Sequence, residues 1–184
     1  MTASRSGAIA FMSGGARKRQ LAWFDRSGRS LGLLGQPDPA SPLNPDLSVD
    51  DGLVVLQRSA PEGSDLWTMD TRGALMRLTS DPANEWCAIW SPSGDRVAFA
   101  SNRKGAFDLY EKGATSGATE RLLFESPLFK LPMHWSGDGK FLLYRTQDPQ
   151  TGSDLWVLPL EGNQKPFPVA NTKFDEREGQ FSPD

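Results

Sequence analysis

The chain of 184 residues contains one cysteine, Cys87, and one histidine, His134. A single thiol excludes an intrachain disulfide, and one cysteine with one histidine excludes an ordinary zinc site. Oxygen-rich stretches at Asp81–Glu85 and Gln147–Ser153 match no calcium-loop spacing, so no metal is assigned. No apolar run approaches the roughly 18 residues needed to cross a membrane as a helix. The opening MTASRSGAIAF lacks a basic stretch followed by a long apolar one, so no signal peptide is read there. A net charge of −3 gives no electrostatic case for binding nucleic acid. The one basic cluster, Arg17-Lys18-Arg19, lies between apolar runs and reads as a solvated hairpin tip. No window of about 12 residues keeps a helical period.

Turn formers and aromatics are abundant: 18 Gly, 14 Pro, 10 Phe and 6 Trp, in a chain that is 38% hydrophobic, which predicts an ordered fold rich in turns. Three features recur together. A turn serine appears as Ser48, Ser91, Ser136 and Ser182, at steps of 43, 45 and 46. An apolar run follows it as Val54-Val55-Leu56, Val97-Ala98-Phe99 and Leu142-Leu143-Tyr144, with an earlier copy at Ile9-Ala10-Phe11. The third mark is Asp65-Leu66-Trp67, Asp108-Leu109-Tyr110 and Asp154-Leu155-Trp156, with a degraded copy at Gln20-Leu21-Ala22. Marks that drift in step identify a repeat.

Each unit reads as four short strands bounded by Gly, Asp, Asn and Ser. In the best copy these are 88–90, 96–101, 107–111 and 120–124. Four strands in about 40–45 residues is the size of a propeller blade, and a lone blade cannot bury either face. The prediction is therefore an all-β chain, a β-propeller of four-stranded antiparallel blades with about four blades present. The 184 residues form a single propeller region: a partial blade at 4–40, blades at 45–80, 86–125 and 131–170, and a final stretch at 178–184. That stretch either starts a further blade of a larger ring or pairs beside Ile9-Ala10-Phe11 to close a ring of four. An open arc exposes apolar blade faces and invites self-association.

Trp90 and Trp135, with Phe181, hold one aromatic position, and Trp67, Tyr110 and Trp156 hold another. Each large ring removes about 150–250 Å² from water, on the order of 4–6 kcal/mol as an upper bound. These residues are predicted core between blades. The recurring Asp65, Asp108 and Asp154 are predicted to accept hydrogen bonds from turn amides, since equivalent loops around a ring do not converge on one metal or substrate.

At these motifs the chain resembles the TolB-like and WD40-like β-propeller repeat proteins. The residues that carry the likeness are Ser91-Pro92-Ser93-Gly94, Ala98-Phe99, Ser101-Asn102-Arg103 and Asp108-Leu109-Tyr110. The stretches QLAWFDRSGRSLG, LTSDPANEWCAIWSPSGDRVAFASNR and GSDLWVLPLEGNQKPFPVANTKFDEREGQFSPD resemble, more narrowly, the propeller region of bacterial receptor-like serine/threonine protein kinases. The likeness spans nearly the whole chain and implies a sensor or interaction module, with kinase and membrane segments elsewhere in such proteins and an extracytoplasmic location. It leaves open a gating propeller of the prolyl-oligopeptidase type and a stand-alone TolB-like envelope protein. The sequence has no Gly-rich phosphate loop, no His-Arg-Asp and no Asp-Phe-Gly, so no kinase activity is expected of it.

One catalytic pattern matches on paper. Gly28-Arg29-Ser30-Leu31-Gly32 fits the G-x-S-x-G elbow, which needs a strand before it and a helix after it. Here Asp25–Gly28 reads as a turn and Leu33-Leu34 as strand, while His134 occupies the inner-strand slot that Ile89 and Gln180 hold in other repeats. No catalytic residue and no cofactor is assigned. The expected partner is a protein or peptide, or a small ligand, at the mouth of the ring, where loops converge. Candidate contacts are Arg58, Asn102, Arg103 and Arg145, near the loops that follow each second strand.

Overall fold

The computed structural model describes residues 2–3, 9–13, 18–115 and 117–182. They form sixteen strands in four antiparallel sheets of four, each in simple meander order. The first sheet holds β1 (Thr2–Ala3), β2 (Ile9–Ser13), β3 (Arg19–Phe24) and β4 (Ser30–Asp38). The second holds β5 (Leu43–Leu47), β6 (Leu53–Ala60), β7 (Gly63–Asp70) and β8 (Leu75–Arg77). The third is β9 (Glu85–Trp90), β10 (Arg96–Lys104), β11 (Ala106–Gly113) and β12 (Glu120–Phe124). The fourth is β13 (Phe129–Trp135), β14 (Phe141–Asp148), β15 (Gly152–Pro159) and β16 (Phe167–Ala170). Among the described residues no helix is long and apolar enough to cross a membrane.

The recurring serine closes the turn between the first and second strands of each later blade. Its hydroxyl accepts the amide of the residue five positions on: Leu53 from Ser48 at 2.9 Å, Arg96 from Ser91 at 3.1 Å and Phe141 from Ser136 at 2.9 Å. The same hydroxyl donates to a neighbouring carboxylate, Asp50, Asp95 or Asp138. The fourth turn residue is left-handed: Asp51 at φ 59°, Gly94 at 72° and Gly139 at 76°.

Period-2 alternation gives each sheet two apolar faces, and every neighbouring pair of sheets shares a core. Leu21 and Leu34 of the first sheet meet Val54, Leu56 and Met69 of the second. Val55 and Leu66 of the second meet Trp90, Val97, Phe99 and Tyr110 of the third. Ala98 and Leu109 of the third meet Trp135, Leu142, Tyr144 and Leu158 of the fourth. Trp67 and Trp156 pack at the margins of two of these clusters, so the repeated aromatics lie between blades. A buried ion pair crosses the last interface: Lys130 Nζ lies 2.9 Å from Asp108, with both side chains sealed from solvent. Lys130 also donates to the Ser126 carbonyl and hydroxyl and to the Leu128 carbonyl.

Two sequence expectations change. A two-residue strand, Thr2–Ala3, pairs with β2, so the first sheet, expected as a partial blade at 4–40, has four strands. It is too short and too polar to leave an apolar signature. The sheets are not closed into a ring: no described strand pairs the first sheet with the fourth. Residues 179–182 do not pair beside Ile9-Ala10-Phe11. The Phe181 amide instead donates to His134 Nδ1 at 3.2 Å on β13, and Gly179 abuts Leu143 and Leu155 of the fourth sheet. Residues 183–184 and the side chains of Ile9-Ala10-Phe11 lie outside the described set.

Removing one member of the buried pair, as in Lys130→Ala, is expected to cost about 3–5 kcal/mol in denaturant unfolding, because Asp108 is left charged and uncompensated. The double change Asp108→Leu with Lys130→Met is expected to cost less than either single removal. On the first sheet, Leu33 pairs with Ala22 on the face opposite Leu21 and Leu34, and is 67% exposed. Leu33→Lys is expected to reduce concentration-dependent association of the chain, measured by sedimentation velocity.

Candidate functional site

The innermost strands β5, β9 and β13 stand side by side and line an axial cleft. One end, of about 880 Å³, is bounded by Asn44, Trp86, Cys87, Met133, Arg145 and Glu178. The other, of about 580 Å³, opens at the serine turns beside Trp90, Trp135 and Phe181. Asp46, Ile89, Met133, His134 and Gln180 border both ends, so the two run together.

Irregular ladders shape this wall. Register slips fall between Leu43 and Asp46, between Ala98 and Ala100, and between Pro132 and His134. Asn44 and Cys87, at the first two slips, adopt φ of 48° and 53°, and Glu178, at the same repeat position after the last strand, adopts 56°. Asn visits this region readily, whereas Cys and Glu do so at a cost of about 1–2 kcal/mol. Bulges of this kind re-aim side chains, and all three residues border the cleft.

The four positions Asp46, Ile89, His134 and Gln180 are equivalent in the repeat. Asp46 Oδ2 accepts the Trp90 amide at 2.9 Å and ties β5 to β9, and His134 Nδ1 accepts the Phe181 amide at 3.2 Å and ties β13 to the stretch that follows the fourth sheet. An accepting Nδ1 fits a neutral imidazole, and burial holds the His134 pKa below its ordinary value, against a weaker pull from Asp46. Cys87 Sγ accepts from Asn44 Nδ2 at 3.3 Å. Burial pushes its thiol up to about 11; Arg145 works against that rise and Glu178 adds to it.

The sequence-predicted contacts fare differently from one another. Arg58 is clamped by Asp38 at 2.6 Å and stacked on Trp67 at 4.4 Å. Arg103 is held by Glu120 at 2.5 Å and Glu85 at 3.2 Å, over the Tyr110 ring at 4.4 Å. Asn102 Oδ1 accepts the Asn84 amide at 2.8 Å and ties β10 to the residue that leads into β9. Arg145 alone of the four borders the axial cleft; its Nε is buried and takes no hydrogen bond. Strand register explains the difference: Arg145 pairs with Leu131 and Leu155, one step away from the pairing that sets Arg58 opposite Asp65. The recurring aspartates do not share turn-amide partners. Asp65 binds Arg77 at 2.8 Å, Asp108 binds Lys130 and the Ser126 amide, and Asp154 accepts the Thr151 hydroxyl at 2.6 Å. Asn44, Asp46 and Met133 were missed as cleft residues, although their place in the repeat beside His134 was the available signal.

Ser30 opens the outermost strand of the first sheet and is exposed, after a turn in which Gly28 is left-handed. His134 lies on the innermost strand of the fourth sheet. The elbow pattern is therefore a hairpin, with no helix after it. Among the described residues no group of three or more His, Cys, Asp or Glu is placed to hold a metal ion.

No family model matches the sequence. Solved structures do match its shape. TolB from Acinetobacter baumannii superimposes with a TM-score of 0.80 at 18% identity, covering 95% of this chain and 44% of its own. A TolB from Agrobacterium tumefaciens gives 0.72 at 15% identity, over 91% of this chain and 63% of its own. The fold is that of a TolB-like β-propeller. A prolyl endopeptidase also matches, with a TM-score of 0.66 at 16% identity over 92% of this chain and 29% of its own. The chain thus spans less than two thirds of each of these structures, and likeness at such identities concerns fold alone.

Glu85, at the start of β9, is fully buried. Its Oε1 meets Ser101 and Arg103, both at 3.2 Å, while Oε2 has no partner. Burial raises its pKa from an ordinary 4.5 to about 7, outweighing Thr79, Arg103 and Ser101, with Asp65 adding to the rise. A carboxyl raised on folding stabilises the fold below its ordinary pKa, and that contribution is lost as pH rises through the folded value. Stability is therefore expected to fall between about pH 4.5 and 7 by up to about 3 kcal/mol from this group. Glu85→Gln is expected to flatten that slope, measured as denaturant midpoints at pH 5 and pH 8.

Proposed function

We propose that this chain is a non-catalytic recognition module, which binds a protein or peptide partner in the axial cleft. The observation that carries this reading is the cleft itself. Three bulged inner strands converge on it, and apolar Ile89 and Met133 stand beside polar Asn44, Gln180 and Arg145. Concave surfaces that set apolar side chains beside convergent polar groups are common ligand sites. The distance in fold between Ser30 on β4 and His134 on β13 supports a non-enzymatic role. The resemblance of QLAWFDRSGRSLG and the later stretches supports a finer reading, in which the module is the sensor part of a receptor-like bacterial kinase on the extracytoplasmic side. A second reading is favoured by the prolyl endopeptidase likeness: a propeller that gates a hydrolase domain. A stand-alone TolB-like envelope protein is the third, favoured by the two TolB likenesses. A kinase encoded in the same reading frame supports the first, and a hydrolase the second.

Peptides selected for binding to the purified chain from a random display library are expected to lose affinity at least tenfold on Ile89→Arg or Met133→Glu. They are expected to be unaffected by Lys104→Ala, on the rim away from the cleft. Equal loss from all three, or hydrolysis of peptide or ester substrates that Ser30→Ala abolishes, would overturn the proposal.

A further inference from the structure

Three arginines stand near the ends of second strands, but only one of them is uncommitted. Arg58 is neutralised by Asp38, and Arg103 by Glu85 and Glu120. Among the described residues no carboxylate lies within ion-pair distance of Arg145, and its Nε is buried without a hydrogen bond on the wall of the larger end of the cleft. The buried Nε–H is left unpaired at a cost in free energy, and the terminal guanidinium nitrogens, which have no hydrogen bond or ion pair among the described residues, are the donors that an incoming acceptor meets. The surroundings are apolar on one side, with Leu131, Pro132, Met133 and Trp86. Glu178, across the cleft, is exposed and forms no ion pair with it. Its influence reaches Cys87, where it opposes that of Arg145.

We infer that Arg145 is the anchor of an anion subsite in this cleft, and that the ligand it takes is a carboxylate with an apolar body. The inference rests on the cleft being the binding surface. The planar guanidinium receives the carboxylate through charge-assisted hydrogen bonds, and the apolar body lies against Leu131, Pro132 and Met133. Neither Arg58 nor Arg103 serves this role, because their donors are already spent on buried carboxylates.

Cys87 gives a built-in reporter, being the chain's only cysteine and bordering the same space as Arg145. Iodoacetate carries a carboxylate and iodoacetamide does not; each alkylates the thiolate sulfur at its CH2 with loss of iodide. The two rates, followed by intact mass on the whole chain at pH 8 and low salt, are compared with those of a neutral free thiol. The iodoacetate-to-iodoacetamide ratio at Cys87 is expected to exceed that of the free thiol by about threefold or more, and to fall with added salt. Arg145→Gln is expected to remove the excess while changing the iodoacetamide rate less, and Arg145→Lys to keep part of it. In a second arm, millimolar hexanoate is expected to slow iodoacetamide alkylation in the wild type, and hexanol is not.

An unchanged ratio in Arg145→Gln would overturn the inference. So would equal protection by hexanoate and hexanol, which would mean that the apolar wall binds alone. Peptide binding lost on Ile89→Arg but not on Arg145→Gln, with no iodoacetate excess, would sink the anion subsite and leave the recognition role standing. Peptide binding that neither Ile89→Arg nor Arg145→Gln weakens would sink the recognition role as well.

Discussion

The structure depends on one constraint: the central strands of a middle blade have two apolar faces, and neither can be buried by its own sheet. Val55 packs toward the third sheet while Val54 and Leu56 pack toward the first. Phe99 packs toward the second sheet while Ala98 packs toward the fourth. A helix laid on one side would leave the other wet, and a two-sheet sandwich would bury one face of each sheet only. Lateral stacking of sheets about an axis satisfies both faces at once. The polar groups taken along are paired within this frame, as with Lys130 and Asp108 between the third and fourth sheets.

The cleft is a by-product of that stacking. Inner strands β5, β9 and β13 approach one another at the axis, and their bulges turn Asn44 and Cys87 toward it. The outer ends of the strands need charge for solubility, and there arginines find carboxylates. Arg58 and Arg103 illustrate this: what looks in sequence like a row of presented cations is mostly a set of internal clamps.

Much of this was legible from spacing alone. Repetition of Ser48, Ser91 and Ser136, and of Asp-Leu-Trp or Asp-Leu-Tyr, located the three later blades and their turns. The left-handed fourth turn residue followed from Gly94 and Gly139. Thr2–Ala3 was not legible, because two small residues pair through backbone groups that any sequence possesses. The partners of Asp65, Asp108 and Asp154 were not legible either. The same repeat position meets Arg77, Lys130 and Thr151 respectively, and those neighbours differ from blade to blade.

The sequence by itself determined the blade, since period-2 apolar runs and turn residues act over a few neighbouring positions. It also determined that blades must stack, because two-faced sheets have no other means of leaving water. Only the tertiary structure decided which arginine stays free, how the inner strands bulge, and that 179–182 lie against the fourth sheet and not the first. Those outcomes turn on register and on contacts between residues about 40 or more positions apart, where a shift of one residue exchanges the face a side chain occupies.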